Sequence, residues 1–402
     1  MNIFYKFYCR SYQFIFRIFS YVLPFRNPRI IKGKGSMLKI PEVLNEKKKM
    51  RALIVTDATI QKLGLIKPLK EELSKFDIFY TVYDKTVPNP TVENIEEGLN
   101  QYGENNCDCI IAVGGGSSID CAKAIGAKVA RPKKPLHKMK GVLKVRKKIP
   151  LLIAAPTTSG TGSEVTIAAV VTNPKTREKY AINDPCLIPH VVVLDTNFTK
   201  GLPKNITATT GMDALTHAVE AFIGKSNTRK TKKWALDAVK LIFENIKTAY
   251  DQPLNIIARS NMQWAALLAG KAFTRAYVGY VHAIAHTLSG FYGTPHGLGN
   301  AVILPIVLKE YGKSVYKKLS QLSINAYFGK KENSDRQNAE IFINKIIELN
   351  NYMGIPGEIF GIKTEDEDLM VKRALLEANP LYPVPKLWSN EEIRKIIQAI
   401  KE

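Results

Sequence analysis

Apolar residues follow two patterns along the chain. From about Ile40 to Asp195, short β-rich apolar runs at Ala52–Thr56, Ile78–Tyr83, Cys109–Val113, Leu151–Ala155 and Val191–Leu194 alternate with stretches of helical character at Ala58–Phe76, Val92–Tyr102 and Ser118–Val129. The runs are continuously apolar, so they predict a parallel sheet covered on both faces. Beyond Gly201-Leu202-Pro203-Lys204-Asn205 the β signal fades, and residues 210–402 read as successive helices broken at Pro253, Pro295, Pro356 and Pro380. The expected fold class is α/β plus all-α. An arm over residues 1–40 precedes an α/β domain over 41–202 and a helical domain over 203–402, with a ligand cleft at the junction.

Composition narrows the partners. Of the 402 residues 45% are hydrophobic, too many for a disordered chain. The formal net charge is +22. Its densest cluster, Arg131–Lys148, reads as a solvated, flexible surface loop. No zinc-finger, RNA-recognition or helix-turn-helix signature accompanies it, so no nucleic-acid partner is expected. The odd set Cys9, Cys107, Cys109, Cys121 and Cys186 makes a poor disulfide framework and predicts free thiols in a reducing, cytoplasmic compartment. Residues 1–25 are rich in Phe and Tyr, interrupted by Lys6, Arg10 and Arg17. That run is too broken to span a bilayer and has no signal-peptide core. Two readings stay open: a peripheral helix at a membrane interface, or packing on the protein itself or on a second subunit. A homodimer is the default assembly.

The first chemical candidate follows the strand Cys109–Val113. Gly114-Gly115-Gly116-Ser117-Ser118 leads into a helix, so the backbone can bend sharply and come close to a ligand. The helix N-terminus then offers free N–H groups to a pyrophosphate. Ser117 and Asp120 have the spacing of a capping pair. A second polar loop, Pro156–Glu164, offers the hydroxyls of Thr157 and Thr158. Asp57, at the end of the first strand, can accept from an adenosine ribose and would repel a 2′-phosphate, favouring NAD over NADP. Asp57 is equally placed to cap a helix. A glycine-rich turn with no ligand would leave the same local pattern.

The second candidate lies in the helical half. Asp213 and His217 stand at i and i+4, as do His282 and His286, and His296 follows Pro295. Four of the six histidines fall in the segments around His282 and His217. A carboxylate with several imidazoles and no thiolate suits Fe²⁺ or Zn²⁺.

Val55-Thr56-Asp57, Pro88-Asn89-Pro90, Gly114–Asp120, Pro156–Glu164, Gly211–His217 and the run from His282 to Gly297 occur here in one order. Together they resemble the iron-containing (group III) alcohol dehydrogenase family over about residues 30–402. The resemblance implies a dinucleotide-binding α/β domain followed by a helical metal-binding domain, the dehydroquinate synthase-like fold. It implies hydride transfer between an alcohol or aldehyde and NAD(H). It assigns Asp213, His217, His282 and His296 to the metal, and Gly115, Gly116, Ser117, Thr157 and Thr158 to the cofactor beside Gly114 and Asp57. It brings Asn89 and Lys179 to the nicotinamide side and a ribose. His286 is either a proton-relay group or a residue shaping the pocket. Three rivals are weighed: a metal-free reductase, a sugar-phosphate cyclase of the dehydroquinate synthase type, and a non-enzymatic membrane-associated binding protein.

Overall fold

Strands that are apolar on both sides need cover on both faces, and that requirement shapes the first half of the chain. The structure is a computed structural model. It describes residues 2–23, 25–176 and 178–402, and side chains outside 19–22, so Phe19 and Tyr21 of the aromatic arm lie outside the described side chains. The chain divides into two compact units, Pro24–Gly201, and Met1–Leu23 with Leu202–Glu402.

Helix α1 (Ile3–Val22) belongs to the second unit. The first unit runs β1 (Arg29–Lys32), α2 (Ile40–Glu46), β2 (Arg51–Val55), α3 (Ala58–Lys62), α4 (Lys67–Lys75), β3 (Phe79–Tyr83), α5 (Val92–Glu104), β4 (Cys109–Gly114) and α6 (Gly116–Ala130). It continues with β5 (Gly141–Val142), β6 (Leu151–Pro156), β7 (Ala168–Asn173), β8 (Glu178–Asn183), β9 (Val191–Leu194) and α7 (Thr196–Thr199). Six strands form one parallel sheet in the order β1-β9-β6-β4-β2-β3. Alternate residues of each strand feed opposite cores. Leu53, Val55, Ile110, Ala112, Leu152 and Ala154 pack with α5 and α6 on one face. Ala52, Ile54, Ile111, Val113, Ile153 and Ala155 pack with α2 and α4 on the other.

Four expectations change. The arm over residues 1–40 is not one element: α1 joins the helical unit, while β1 pairs with β9 at the sheet edge. The helix expected over 58–76 is two helices, because Gly64 takes φ 69° and ends the first. A second sheet, β5-β8-β7, was not among the expected strands: β5 is two residues long and β8 mixes charged and apolar residues. The basic 131–148 segment is anchored rather than a solvated loop. Leu136, Met139 and Val145 are buried in it, and Arg131 Nε donates to Val145 O at 2.7 Å. Buried Asp184 accepts from the N–H groups of Val145 (3.1 Å), Arg146 (2.9 Å) and Cys186 (3.2 Å).

The helical unit continues with α8 (Lys204–Ile223), α9 (Arg229–Asp251), α10 (Ile256–Ala276), α11 (Tyr280–Tyr292) and α12 (His296–Tyr311). Helices α13 (Tyr316–Asn325), α14 (Asp335–Tyr352), α15 (Glu367–Ala378) and α16 (Asn390–Ala399) complete it. From Gly211 to Ile223 every residue of α8 is buried, so this helix is the axis of the unit.

Asp184→Ala leaves three backbone donors without their acceptor and should cost about 1–3 kcal/mol in urea unfolding. Trypsin should then cut faster at the lysines and arginines of 131–148; an unchanged digestion pattern would show that Asp184 does not hold the segment.

Candidate metal centre

Helix α8 carries Asp213, His217 and Glu220 at i, i+4 and i+7, which places all three on one face. His282 sits in the first turn of α11, which Gly279 caps, and His296 is the first residue of α12 after Pro295. Helix starts aim side chains from two further directions at the same point. Asp213, His217 and His282 are buried, and each offers a donor atom within 4.8 Å of the others. Asp213 Oδ1 lies 3.8 Å from His217 Nδ1, 3.9 Å from His282 Nε2 and 3.7 Å from His296 Nε2. Two donors each bound at about 2.1 Å to one tetrahedral ion stand about 3.4 Å apart, so each imidazole is within about half an ångström of that spacing from Asp213; His296 is not among the three residues whose donors all lie within 4.8 Å of one another.

The electrostatics fit a cation. Burial drives the His217 imidazole down to about 3, with Asp213 pulling the other way, so the ring is neutral with a lone pair to give. His217 Nδ1 is buried and makes no hydrogen bond. Asn300 Nδ2 lies 2.7 Å from Asp213 Oδ1 and 3.2 Å from both His282 Nε2 and His296 Nε2. An amide has two hydrogens and cannot donate to three acceptors. The point it occupies is therefore one that draws positive charge from three sides.

A second layer holds the first. Glu220 Oε2 stands 2.6 Å from His282 Nδ1, which directs Nε2 toward Asp213. Glu220 also accepts from the N–H groups of Gly279 and Val281, both at 2.8 Å. Burial pushes its carboxyl up to about 7 against those bonds. His286, a turn after His282, stacks on His296 with centroids 4.9 Å apart. Its Nδ1 meets Glu377 Oε1 at 2.6 Å, and Tyr382 donates its hydroxyl to the same oxygen at 2.8 Å. His286 and His296 are half-buried, so the site opens on their side.

The other candidate site lies in the sheet unit. Gly114 pairs with Pro156 at the ends of β4 and β6, and Thr157 N donates to Gly114 O at 2.9 Å. The two loops thus leave the sheet side by side, at the carboxyl end where parallel sheets take ligands. Gly114 has φ 159°, and a Cβ there would stand 2.3 Å from Ser118 Oγ. At Gly116 a Cβ would meet Thr161 Cγ2 at 2.6 Å, and at Gly115 it would lie 3.6 Å from Thr158. The glycines leave room for the side chains of Ser118 and Thr161 against the turn, and a helix start of this kind carries N–H groups that suit a phosphate. Asp57 does cap a helix, accepting at Oδ1 from Thr59 N (2.9 Å) and Ile60 N (3.0 Å). Its Oδ2 faces the glycine loop, 3.6 Å from where a Gly114 Cβ would stand. Asn89, at φ 58°, donates its N–H to Ser117 Oγ at 3.2 Å. Thr172 N donates to Pro90 O at 2.9 Å and Lys179 is its cross-strand partner, which brings Lys179 beside the Asn89 turn.

The capping pair Ser117–Asp120 does not form: Gly115 is the N-cap, without a side-chain bond. Asp120 instead accepts from Ser163 Oγ at 2.6 Å and Val170 N at 3.2 Å. The Nζ of Lys123, fully buried one turn on, has four oxygens for its three hydrogens, Ser163 Oγ, Thr166 O, Thr166 Oγ1 and Ala168 O, at 2.7–3.0 Å. Burial pushes the Lys123 amine down to about 8, opposed by Asp120 and Glu164. These two residues fasten the threonine loop to α6. Their i, i+3 spacing was the available signal. Glu220 and Asn300 had comparable ones, at i+7 from Asp213 and i+4 from His296. Glu377 and Tyr382 had none, being about 90 residues from His286.

Comparison with known proteins covers both units. The family model described as iron-containing alcohol dehydrogenase matches residues 27–196, and its C-terminal counterpart matches 207–401. The 1,3-propanediol dehydrogenase of Citrobacter freundii is 37% identical over 394 residues, 95% of this chain and 99% of that one. The NAD-dependent methanol dehydrogenase of Bacillus methanolicus is 32% identical over 376 residues, 92% of this chain and 97% of that one. The solved alcohol dehydrogenase of Oenococcus oeni superposes with a TM-score of 0.89 at 35% identity, covering 94% of this chain and 99% of its own.

A Cβ on Gly297 would stand 2.3 Å from the backbone oxygen of Thr209. Gly297→Ala should therefore push α12 off α8 and cost about 1–3 kcal/mol in thermal unfolding. Gly103→Ala, where nothing lies within 4 Å, is the control and should cost nothing; equal losses in the two variants would refute the close approach.

Proposed function

Because the chain belongs to the iron-containing alcohol dehydrogenase family, it is an alcohol dehydrogenase that works with NAD(H) and iron, and we propose which of its residues do the work. Asp213, His217, His282 and His296 hold the cation. The observation that carries this reading is the convergence of three imidazole nitrogens, 3.7–3.9 Å away, on one carboxylate oxygen. The dinucleotide lies on Gly114, Gly115, Gly116 and Ser117, with Thr157 and Thr158 from the adjacent loop. Asp57 Oδ2 meets the adenosine ribose, and Asn89 and Lys179 approach the nicotinamide side.

When bound, the cation supplies Lewis-acid charge to an alcohol or carbonyl oxygen, and NAD(H) supplies the hydride exchange. The chain's own residues do the rest. Asp213 brings the negative charge and three neutral imidazoles complete the set. Glu220 keeps His282 in the tautomer that presents Nε2 inward. His286 takes the alcohol proton at Nε2, held in place by Glu377 at Nδ1. The N-terminus of α6 meets the pyrophosphate, and the Asp120–Lys123 pair keeps the threonine loop against it. The substrate is a small alcohol or aldehyde. The sugar-phosphate cyclase reading is not favoured, since these relatives carry dehydrogenase names. We place the dinucleotide domain at about residues 24–201 and the metal domain at 202–402. Peripheral membrane contact through residues 1–25 belongs to the same proposal. It is supported by the exposed apolar side chains of α1, and no helix among the described residues is long and apolar enough to cross a membrane.

Stripped protein reloaded with Fe²⁺, or with Zn²⁺ as a comparison, and assayed by NADH absorbance on short alcohols and aldehydes tests the assignment. Loss of a Lewis-acid contribution of several kcal/mol, at 1.36 kcal/mol per decade, predicts that Asp213→Asn or His282→Ala lowers kcat/KM about a thousandfold. Glu220→Gln should weaken metal binding about 10–100-fold in calorimetry. Full metal-dependent activity in Asp213→Asn would remove it as a ligand. His286→Ala should lower kcat by about 100-fold or more with KM little changed; a loss confined to KM would make His286 a pocket residue only.

A further inference from the structure

Helix α1 is mounted on the helical unit with its polar side inward. Arg10 donates from Nη1 to Val384 O at 2.8 Å and from Nη2 to Pro385 O at 3.2 Å. Gln13, itself buried, donates from Nε2 to Tyr382 O at 2.8 Å and Pro380 O at 3.1 Å. Cys9 is fully buried on the same side, and Phe16 lies edge-on to Tyr277 with centroids 5.4 Å apart.

The opposite side is apolar and in solvent. Ile3, Phe4, Phe7, Phe14, Ile15 and Ile18 are between 54% and 79% exposed. At 3.6 residues per turn they fall within an arc of about 120° centred opposite Cys9. A surface helix ordinarily turns such a stripe toward the core. Here hydrogen bonds hold the helix and the stripe faces out, an exposed apolar patch on the order of several hundred Å², the size that marks an interaction surface.

Charge selects the partner. Lys6 and Arg17 border the stripe on α1. Lys318 Nζ donates to Ile223 O at 2.7 Å and Gly224 O at 2.6 Å. The N–H of the next residue, Lys225, donates to Pro383 O at 2.7 Å, beside the Val384 oxygen that takes Arg10. Arg10, Lys225 and Lys318 therefore stand together alongside α1; burial, then repulsion from Lys232, Lys225 and Arg17, lowers the Lys318 ammonium to about 8. Lys225 and Lys232 are exposed. The net charge of +22 opposes a second copy of the chain on this face and favours an anionic one. Residues 27–196 and 207–401 match the family models, so α1 lies outside the matched region.

We infer that α1 is a docking face for an anionic phospholipid bilayer, lying flat with its six apolar side chains in the headgroup–acyl boundary and the neighbouring lysines and arginines against lipid phosphates. This rests on the proposed membrane contact and assigns its face and lipid class; it does not depend on the dehydrogenase reading. Amphipathic basic helices bind in this way, through buried apolar area plus attraction to anionic headgroups. The helix stays on its mount, because the side chains that enter lipid are not those that hold it.

The test uses point variants of the full chain rather than deletion. Gln13 holds the segment whose Tyr382 bonds Glu377, and Glu377 holds His286, so removing α1 would disturb the proposed site. The wild type should pellet with vesicles of phosphatidylcholine plus phosphatidylglycerol, release at high salt, and bind vesicles of phosphatidylcholine alone at least about tenfold more weakly. Phe4→Ser with Phe7→Ser should lower partitioning about tenfold or more, and Lys225→Glu with Lys232→Glu should do the same. Both pairs should keep the NADH-linked rate and the unfolding midpoint. Failure to pellet with either vesicle would sink both this inference and the membrane contact beneath it. Equal binding to both vesicles would sink the anionic assignment alone. Wild-type pelleting by the Phe4/Phe7 variant, with a changed elution volume on size exclusion, would mean that a second copy covers the stripe instead. Activity measured without vesicles reports on the dehydrogenase reading separately.

Discussion

A carboxylate buried in the middle of a helical core is the constraint on which the second half of this protein depends. Asp213 is almost fully inaccessible, and an ionised group there is costly unless positive charge meets it. Three helices are arranged around that cost. Helix α8 supplies the carboxylate and one imidazole, while α11 and α12 begin next to it and contribute one imidazole each. Asn300 Nδ2 donates a hydrogen to the same oxygen. On the proposed assignment a cation at that focus would offset the cost, which would link metal binding to the stability of this unit.

That focus requires the helices to come unusually close. Gly297 lets α12 lie against the backbone of α8, and Gly279 leaves room for Glu220 at the start of α11. Glu220 in turn uses the unpaired N–H groups of that helix start and fixes the ring of His282. One carboxylate thus closes a helix end and orients an imidazole. On the open side His286, Glu377 and Tyr382 form a hydrogen-bonded row. The segment carrying Tyr382 is the one on which α1 is mounted, so the aromatic N-terminus and the proposed catalytic row share a support.

In the sheet unit the constraint is backbone access rather than charge. The glycine turn and the threonine loop leave neighbouring strands together, and missing side chains at Gly114 and Gly116 are filled by Ser118 and Thr161. Lys123, fully buried, and Asp120, half-buried, hold the second loop against α6. A buried lysine is tolerated there because four oxygens meet its three donors.

Local chemistry in the sequence was enough to determine five of the six strands of the main sheet, the glycine turn, the helical second half and the histidine-bearing segments. Each is set by neighbours within a few residues: apolar continuity, glycine backbone freedom, or i, i+4 spacing. The resemblance carried the ligand set further than spacing could. Tertiary structure alone decided what depends on distant partners. It placed β1 on the sheet edge, tied the basic 131–148 segment to Asp184, gave Asp120 to Ser163 instead of a cap, and brought Glu377 to His286. It also decided that α1 turns its polar side inward, since an amphipathic pattern specifies two faces but not which one the protein keeps.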